Sequence, residues 1–265
     1  AWRISGEKFM QNQHIFDNLK LRVGWGRVGN QSIDDAAYSS YVNGGADYVF
    51  GTDATRQIGT AIANIGNTNL QWETVEDFDL GLDMAFLRNR LTVTAEWFTK
   101  KSTDMLLKKD NLLILGYPMW NSQMWENVGS MKATGWELSV NWEDRAGDFN
   151  YGVGVNLSSV KNKAMKLLGE PLYSGGFSGD YIIRNDEYSE ISRFYGYTVD
   201  GIFQNQKEVD SYVGKNGNKI QPNAQPGDFR YKDLNGDGTI DSNDKSFIGK
   251  AFPDLTMGIN GHVSY

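Results

Sequence analysis

The residues best suited to chemistry lie in one short stretch, Asp233-Leu234-Asn235-Gly236-Asp237-Gly238-Thr239-Ile240-Asp241-Ser242-Asn243-Asp244. Counted from Asp233, side-chain oxygens fall at loop positions 1, 3, 5, 9 and 12 (Asp233, Asn235, Asp237, Asp241 and Asp244), with Gly238 at position 6 for a sharp turn. Thr239 at position 7 can add its backbone carbonyl. A hard cation such as Ca²⁺ takes six to eight oxygens, and crowded carboxylates need a cation to offset their mutual repulsion. The expected cofactor is therefore Ca²⁺, held by Asp233, Asn235, Asp237, Thr239, Asp241 and Asp244. Asp244 in place of Glu at the last position shortens the reach. The competing reading is a surface turn built on Asn-Gly and Asp-Gly signals, with no metal.

The other constellations carry less. Gly24-Trp25-Gly26-Arg27-Val28-Gly29 spells G-x-G-x-x-G, which in a dinucleotide site brings backbone against a pyrophosphate at a helix N-terminus. Here the glycines fall inside an alternating run, and no βαβ series follows. Gly176-Phe177-Ser178-Gly179-Asp180 resembles a nucleophile elbow, but Asp180 stands where the closing Gly belongs. With two His (His14 and His262) and no Cys, catalysis would have to rest on carboxylates alone, and no pair is singled out. The expectation is a protein that is not an enzyme. Tyr117, Trp120 and Trp125 could stack on sugar rings as a weak substrate-binding set, or pack long loops together.

Composition narrows the remaining classes. The chain has 265 residues, a net charge of −7, 30 glycines, 13% aromatics and no cysteine, so disulfide and zinc-ribbon scaffolds are excluded. The acidic balance argues against nucleic acid, whose phosphates need clustered Lys and Arg. No apolar run approaches the roughly 18 residues of a membrane helix, a test to which alternating barrel strands are invisible.

The elements that must position these residues announce themselves by period. Leu19, Leu21, Val23 and Trp25 alternate with polar or small residues, as do Phe78 to Phe86 and Leu91 to Trp97, the last two separated by Arg88-Asn89-Arg90. Trp136 to Trp142 and Phe149 to Leu157 repeat the plan across a turn at Asp144 to Asp148, and Leu255 to Tyr265 closes the chain in the same rhythm. No charge occupies the apolar face of the four cleanest runs, although 22% of the chain is charged. A soluble β-sandwich, such as a glycan-binding module, would show this over five or six residues; several runs here extend over about 10 to 15, longer than soluble strands. Two tight turns against long connections after Val28, Phe98 and Ser158 fit an outer-membrane barrel, with Trp72, Trp97, Trp136 and Trp142 as its aromatic girdle. Strand parity also asks for one further wall strand within Asp180 to Tyr188, whose alternation is poor, before a run from Tyr195 to Phe203. A complete small barrel of about eight to ten strands would instead close within the chain.

Several segments carry a family resemblance: Asn18 to Asn30 (NLKLRVGWGRVGN), Asn69-Leu-Gln-Trp-Glu73 with Leu80-Gly-Leu-Asp83, and Asn127-Val-Gly129 with Thr134-Gly-Trp-Glu137. Phe194-Tyr-Gly-Tyr197, Asp200-Gly-Ile-Phe-Gln204 and Pro226 to Gly238 (PGDFRYKDLNGDG) complete the set. In this order the chain resembles the SusC/RagA-type TonB-dependent outer-membrane transporters of Gram-negative bacteria. The resemblance implies an all-β fold, part of an antiparallel 22-stranded transmembrane β-barrel with long extracellular loops and a separate plug. It also implies a SusD-like surface lipoprotein partner, energy from TonB–ExbB–ExbD, and oligosaccharide or peptide substrates. No TonB box or plug is recognisable and the sequence stops inside an alternating strand, so residues 1–265 are expected to be part of the C-terminal barrel domain of a longer transporter, without separate domains. Asp77, Asp79, Asp83, Asn141 and Asn156 would then face a wet lumen.

Overall fold

The computed structural model describes residues 1–33, 37–52, 54–110, 123–177 and 180–265. It forms two units: Ala1–Glu170 with Glu187–Ser189 and Asp254–Tyr265, and Pro171–Asp186 with Glu190–Pro253.

The first unit carries β1 (Trp2–Arg3), β2 (Asn18–Asn30), β3 (Tyr41–Gly44), β4 (Tyr48–Phe50), β5 (Thr55–Gln57), β6 (Thr60–Asn64), β7 (Glu73–Phe86), β8 (Leu91–Asp110), β9 (Gln123–Ala146) and β10 (Phe149–Lys166). In the second unit follow β11 (Leu172–Phe177), β12 (Asp180–Asn185), β13 (Arg193–Tyr197), β14 (Val199–Ile202), α1 (Gln206–Ser211), β15 (Phe229–Tyr231) and β16 (Lys245–Lys250); β17 (Thr256–Ser264) returns to the first.

One seven-stranded sheet, β1-β2-β7-β8-β9-β10-β17, dominates the first unit, with every neighbour antiparallel. Its register converts the alternation into two faces. Leu21, Leu82, Ala95, Leu138, Leu157 and Met257 stand in one cross-strand row, and Val23, Leu80, Trp97 and Trp136 in another on the same face. The rows between them belong to the opposite face and are polar. A one-residue slip would exchange the faces wholesale, which is why the apolar pattern pins the register.

That apolar face is not a soluble core. Val23 is 56% exposed, Val153 51%, Ile259 69% and Val263 73%. A β-sandwich would cover these side chains with a second sheet, and an open apolar surface of this extent marks contact with a partner or a membrane. The strands are also too long for a sandwich: β8 has 20 residues, β9 24 and β10 18. At roughly 3.3 Å per residue and a tilt near 45°, about ten residues cross a 25 Å apolar band, so these strands run well beyond it.

The hairpins are tight at one end. Leu87, Arg88 and Asn89 all take positive φ between β7 and β8, a conformation costly for Leu. The turn is held by Arg90 Nε donating to the Leu87 carbonyl (3.1 Å) and by the Asn89 N–H donating to Asp17 (3.0 Å). Between β9 and β10 only Gly147 and Asp148 intervene, with Gly147 at φ 63°.

One expectation fails. Asp180–Asn185 is a strand, but it pairs with β11 and β13 in a four-stranded sheet, β11-β12-β13-β16, and does not enter the long sheet. Nor does the run from Tyr195 to Phe203, which divides into β13 and β14. The strand beside β10 is β17, paired from Asn150–Ser264 to Ser158–Thr256. The four-stranded sheet has its own amphipathic reason to exist: Arg184 of β12 lies over the rings of Tyr173, Tyr195 and Phe247, at 5.8, 4.9 and 5.9 Å from their centroids. Beside this sheet, Phe203, Val209 and Ile220 are the buried apolar residues among those described in the second unit.

Candidate functional site

The polar face of the long sheet concentrates fixed charge. Arg22, Gly81, Glu96 and Glu137 occupy one row across β2, β7, β8 and β9, followed by Ser158 and Thr256. Arg22 donates through Nε to Asp83 Oδ2 (3.0 Å), through Nη2 to Asp83 Oδ1 (3.2 Å), and again through Nη2 to Glu96 Oε2 (3.1 Å). This links three strands by one guanidinium, whose planar fork suits two carboxylates at once. The guanidinium lies over Gly81, where a Cβ would come within 2.7 Å of Arg22 Nη2 and push it aside. Lys20 adds a longer contact to Asp83 at 3.7 Å.

Glu137 faces Glu96 directly in the register, and among the described residues no cation lies within ion-pair distance of it. Thr94, Glu96, Glu137, Ser139, Asn156 and Ser158 line one shallow recess on this face. A second recess lies over Gly24, Gly26, Asp77, Asp79 and Lys100. Asp77, Asp79, Asp83, Asn141 and Asn156, expected to share a face, do so by register. The G-x-G-x-x-G run lies inside β2 and opens no helix. Its Gly29 is needed for another reason, since a Cβ there would come within 2.7 Å of the Trp72 ring.

The acidic loop lies in the second unit, and its side chains organise its own backbone. Asp233 accepts from the N–H groups of Gly236 (2.6 Å) and Gly238 (2.8 Å), and Asn235 Oδ1 from Asp237 N (2.9 Å). Asp237 accepts from the N–H and hydroxyl of Thr239 and from the Asn235 amide, which hold its carboxyl below the usual range. Asp241 accepts from Asn243 N (2.7 Å) and caps the short 3₁₀ turn Ser242–Asp244. Asp244 is fully buried; its oxygens take the N–H groups of Leu234 (2.8 Å) and Asp241 (2.9 Å), with Asn235 at 3.4 Å. Gly236 and Gly238 take φ of 75° and 88°, as the reversals require. Among the described residues, no three His, Cys, Asp or Glu side chains converge to metal-holding distance. The donor set is nevertheless all oxygen, the chemistry a hard cation takes.

Of the aromatic candidates, Tyr117 and Trp120 lie outside the described residues. Trp125 is half-buried in β9, with the Lys108 ammonium 5.2 Å from its ring centroid and its carbonyl accepting from Asn67 Nδ2 (2.9 Å). Nearby, Asn127 ties three segments together: it donates to the carbonyls of Gln71 and Asp104 and accepts from Gln71 N. The Arg22 bridge escaped sequence reasoning, because its partners lie 61 and 74 residues away. The one available signal was a lone Gly, Gly81, interrupting the acidic series Asp77, Asp79 and Asp83 of β7.

Comparison with known proteins gives this architecture its place. The profile of the family described as TonB dependent receptor-like, beta-barrel, matches residues 10–238. TonB-dependent receptor P26 of Formosa agariphila is 32% identical over 269 residues, covering all of this chain and 26% of that protein. TonB-dependent receptor SusC of Bacteroides thetaiotaomicron is 31% identical over 273 residues, covering all of this chain and 25% of SusC. This chain thus spans about a quarter of the length of the curated relatives it matches. Among solved structures, the RagAB peptide transporter aligns over the whole chain and 27% of its own at a TM-score of 0.69 and 22% identity. The RagAB peptide importer in its open-open state gives 0.72 and 22%, over the whole chain and 26% of its own. An antiparallel sheet with one exposed apolar face and one charged face is thus a section of barrel wall, and the chain belongs to the TonB-dependent receptor β-barrel family.

Proposed function

We propose that this chain is part of the wall of an outer-membrane transporter that imports nutrients into a Gram-negative cell. The observation that carries the reading is the two-faced sheet: long register-locked strands with a continuous apolar face open to lipid and a charged face toward water. The inner strands β7, β8, β9 and β10 are each paired on both sides, as backbone crossing a bilayer requires. Oligosaccharides or peptides are the substrate classes that the family resemblance implies, and the RagAB structure is named as a peptide transporter. A SusD-like surface lipoprotein delivers them, and TonB–ExbB–ExbD supplies the energy. The chain's own residues take no catalytic part.

In the same reading the acidic loop takes Ca²⁺, through the side chains of Asp233, Asn235, Asp237, Asp241 and Asp244 and the Thr239 carbonyl. Its role is to stiffen an extracellular excursion. The all-oxygen donor set and its spacing support this. Asp233→Ala with Asp237→Ala should abolish a Ca²⁺-dependent rise in melting temperature, and a rise that persists in the double variant removes the site.

The transport reading is tested in a deletion strain complemented with the full-length gene, following labelled oligosaccharides and labelled peptides separately. One label should enter in a manner that stops when TonB is removed, and a surface lipoprotein should co-purify. Entry of neither label overturns the reading.

A further inference from the structure

The outward face of the wall ends in a row of charge. By register Arg27, Glu76, Lys101, Lys132 and Lys163 stand side by side across β2, β7, β8, β9 and β10. Their parity is that of Val23, Leu80, Trp97 and Trp136, four residues earlier in β8, so they point away from the lumen. Lys161 lies outward one step before, beside Thr134. The register is unbroken between these rows, since the shifts in β8 and β10 begin after Lys101 and Lys163.

The position of the row follows from the strand. From Leu91, at the tight-turn end of the apolar belt, to Lys101 is ten residues, roughly 33 Å of strand and about 23 Å along the barrel axis at a 45° tilt. That is the height of the apolar band. The tight turns mark the periplasmic end of such a barrel and the long connections the outside, so the lysines sit where the outer leaflet meets water. Their stems can lie along the Trp97 and Trp136 level while the ammonium groups reach the headgroups.

Among the described residues the four lysines form no ion pair, and the one carboxylate of the row, Glu76, stands at its β7 end. Lys101, Lys132, Lys161 and Lys163 are exposed, and among the described residues no carboxylate lies within ion-pair distance of any of them. Glu76 is in the row, but its carboxylate accepts from Trp25 Nε1 at 2.9 Å. Like charges directly opposed on neighbouring strands destabilise a sheet, and three in succession call for an anion between them. We propose that this row is a binding site for the phosphate groups of the anionic lipid of the outer leaflet, gripped by Lys101, Lys132 and Lys163 with Lys161 beneath. The proposal rests on the outer-membrane reading above.

The test uses the full-length transporter in detergent micelles, with native mass spectrometry counting retained lipid. The probes are phosphorylated lipid A, the same lipid with its phosphates removed, phosphatidylcholine, and inorganic phosphate alone as competitor. The wild type should retain the phosphorylated form about tenfold or more over the dephosphorylated form. K101Q/K132Q/K163Q should bring that ratio close to one, while K101R/K132R/K163R keeps it and Lys100→Gln, on the lumenal face, leaves it unchanged. All four side chains are exposed, and heat-modifiable migration on gels shows that each variant remains a folded barrel. Equal retention of phosphorylated lipid by the glutamine variant, or its full displacement by inorganic phosphate, overturns the proposal. A wild type that fractionates with the outer membrane yet ignores the phosphates sinks this inference alone; one that fails to enter that membrane sinks the reading beneath it.

Discussion

Replacing Arg22 by Ala tests whether the three-strand bridge is one energetic unit. Arg22 donates three charged hydrogen bonds, two to Asp83 and one to Glu96. A buried charged hydrogen bond contributes about 1.5–3 kcal/mol. Here the Arg22 side chain is 35% exposed, Asp83 26% and Glu96 29%, so solvent screening cuts each to roughly 0.5–1 kcal/mol. The removal also leaves Glu96 facing Glu137 with no cation between them, and two carboxylates about 5 Å apart in a half-wet site repel by roughly 1 kcal/mol. The expected cost of Arg22→Ala is therefore about 3 kcal/mol. In a Glu96→Leu background the repulsion and one hydrogen bond are already gone, and the same replacement should cost only about 1.5 kcal/mol. The full-length protein is folded into phosphatidylcholine vesicles and unfolded in urea, with tryptophan fluorescence as the signal. Losses that add to within about 0.3 kcal/mol across the double-mutant cycle would refute the reasoning, because independent groups add and a shared guanidinium cannot.

Four further outcomes follow from the same structure. Gly81→Ala places a methyl within 2.7 Å of the Arg22 guanidinium, so it should cost much of what Arg22→Ala costs, and little more once Arg22 is already Ala; the same urea cycle reads it. Asp244→Asn removes an acceptor from a fully buried side chain and leaves an N–H of Leu234 or Asp241 unsatisfied; hydrogen exchange at those amides should speed up by the equivalent of about 1–2 kcal/mol. Asp237 is held below its ordinary pKa, so the unfolded chain binds the proton more tightly. Its stabilisation is complete above the ordinary Asp value of about 3.9 and is lost as pH falls through the folded value; the melting-temperature gap to Asp237→Asn should close only at the acid end. Arg184→Leu keeps bulk but removes the cation lying over Tyr173, Tyr195 and Phe247, and should lower the stability of the four-stranded sheet by about 1–2 kcal/mol in local exchange measurements.

What was legible in the sequence is what depends on period. Leu82, Ala95 and Leu138 can be placed on one face from alternation alone, and they stand in one row. Medium is another matter. Asp180–Asn185 reads as a possible wall strand because alternation reports two faces without saying what each touches, and here the partner is an aromatic cluster over Arg184, not lipid. The pairing of β10 with β17 is invisible for a different reason: the two are separated in sequence by the whole second unit, and local pattern carries no information on which of several amphipathic strands returns to an edge. The turn begins at Leu87, one residue before the polar triplet Arg88-Asn89-Arg90 marks it, because an apolar Leu carries no turn signal although its φ of 56° has already left the strand. In the acidic loop the spacing of Asp233, Asn235 and Asp237 was legible, but not that each would be engaged by a neighbouring N–H.

Under the proposed function, the placement of the charge network constrains how such a wall can serve transport. An ion pair withdrawn from water loses more hydration than it regains unless its geometry is complete, so a carboxylate without a cation, such as Glu137, is tolerable only on a face that stays wet. That argues for standing water along the row from Arg22 to Thr256. Along that face some groups are engaged and others are not: the Arg22 hydrogen bonds go to Asp83 and Glu96, and Asn141 donates to Ser139 at 3.2 Å, while Glu137 has no cation beside it among the described residues. Under the proposed function, recognition that chooses a substrate would draw on groups outside the wall, on the connections beyond the apolar band.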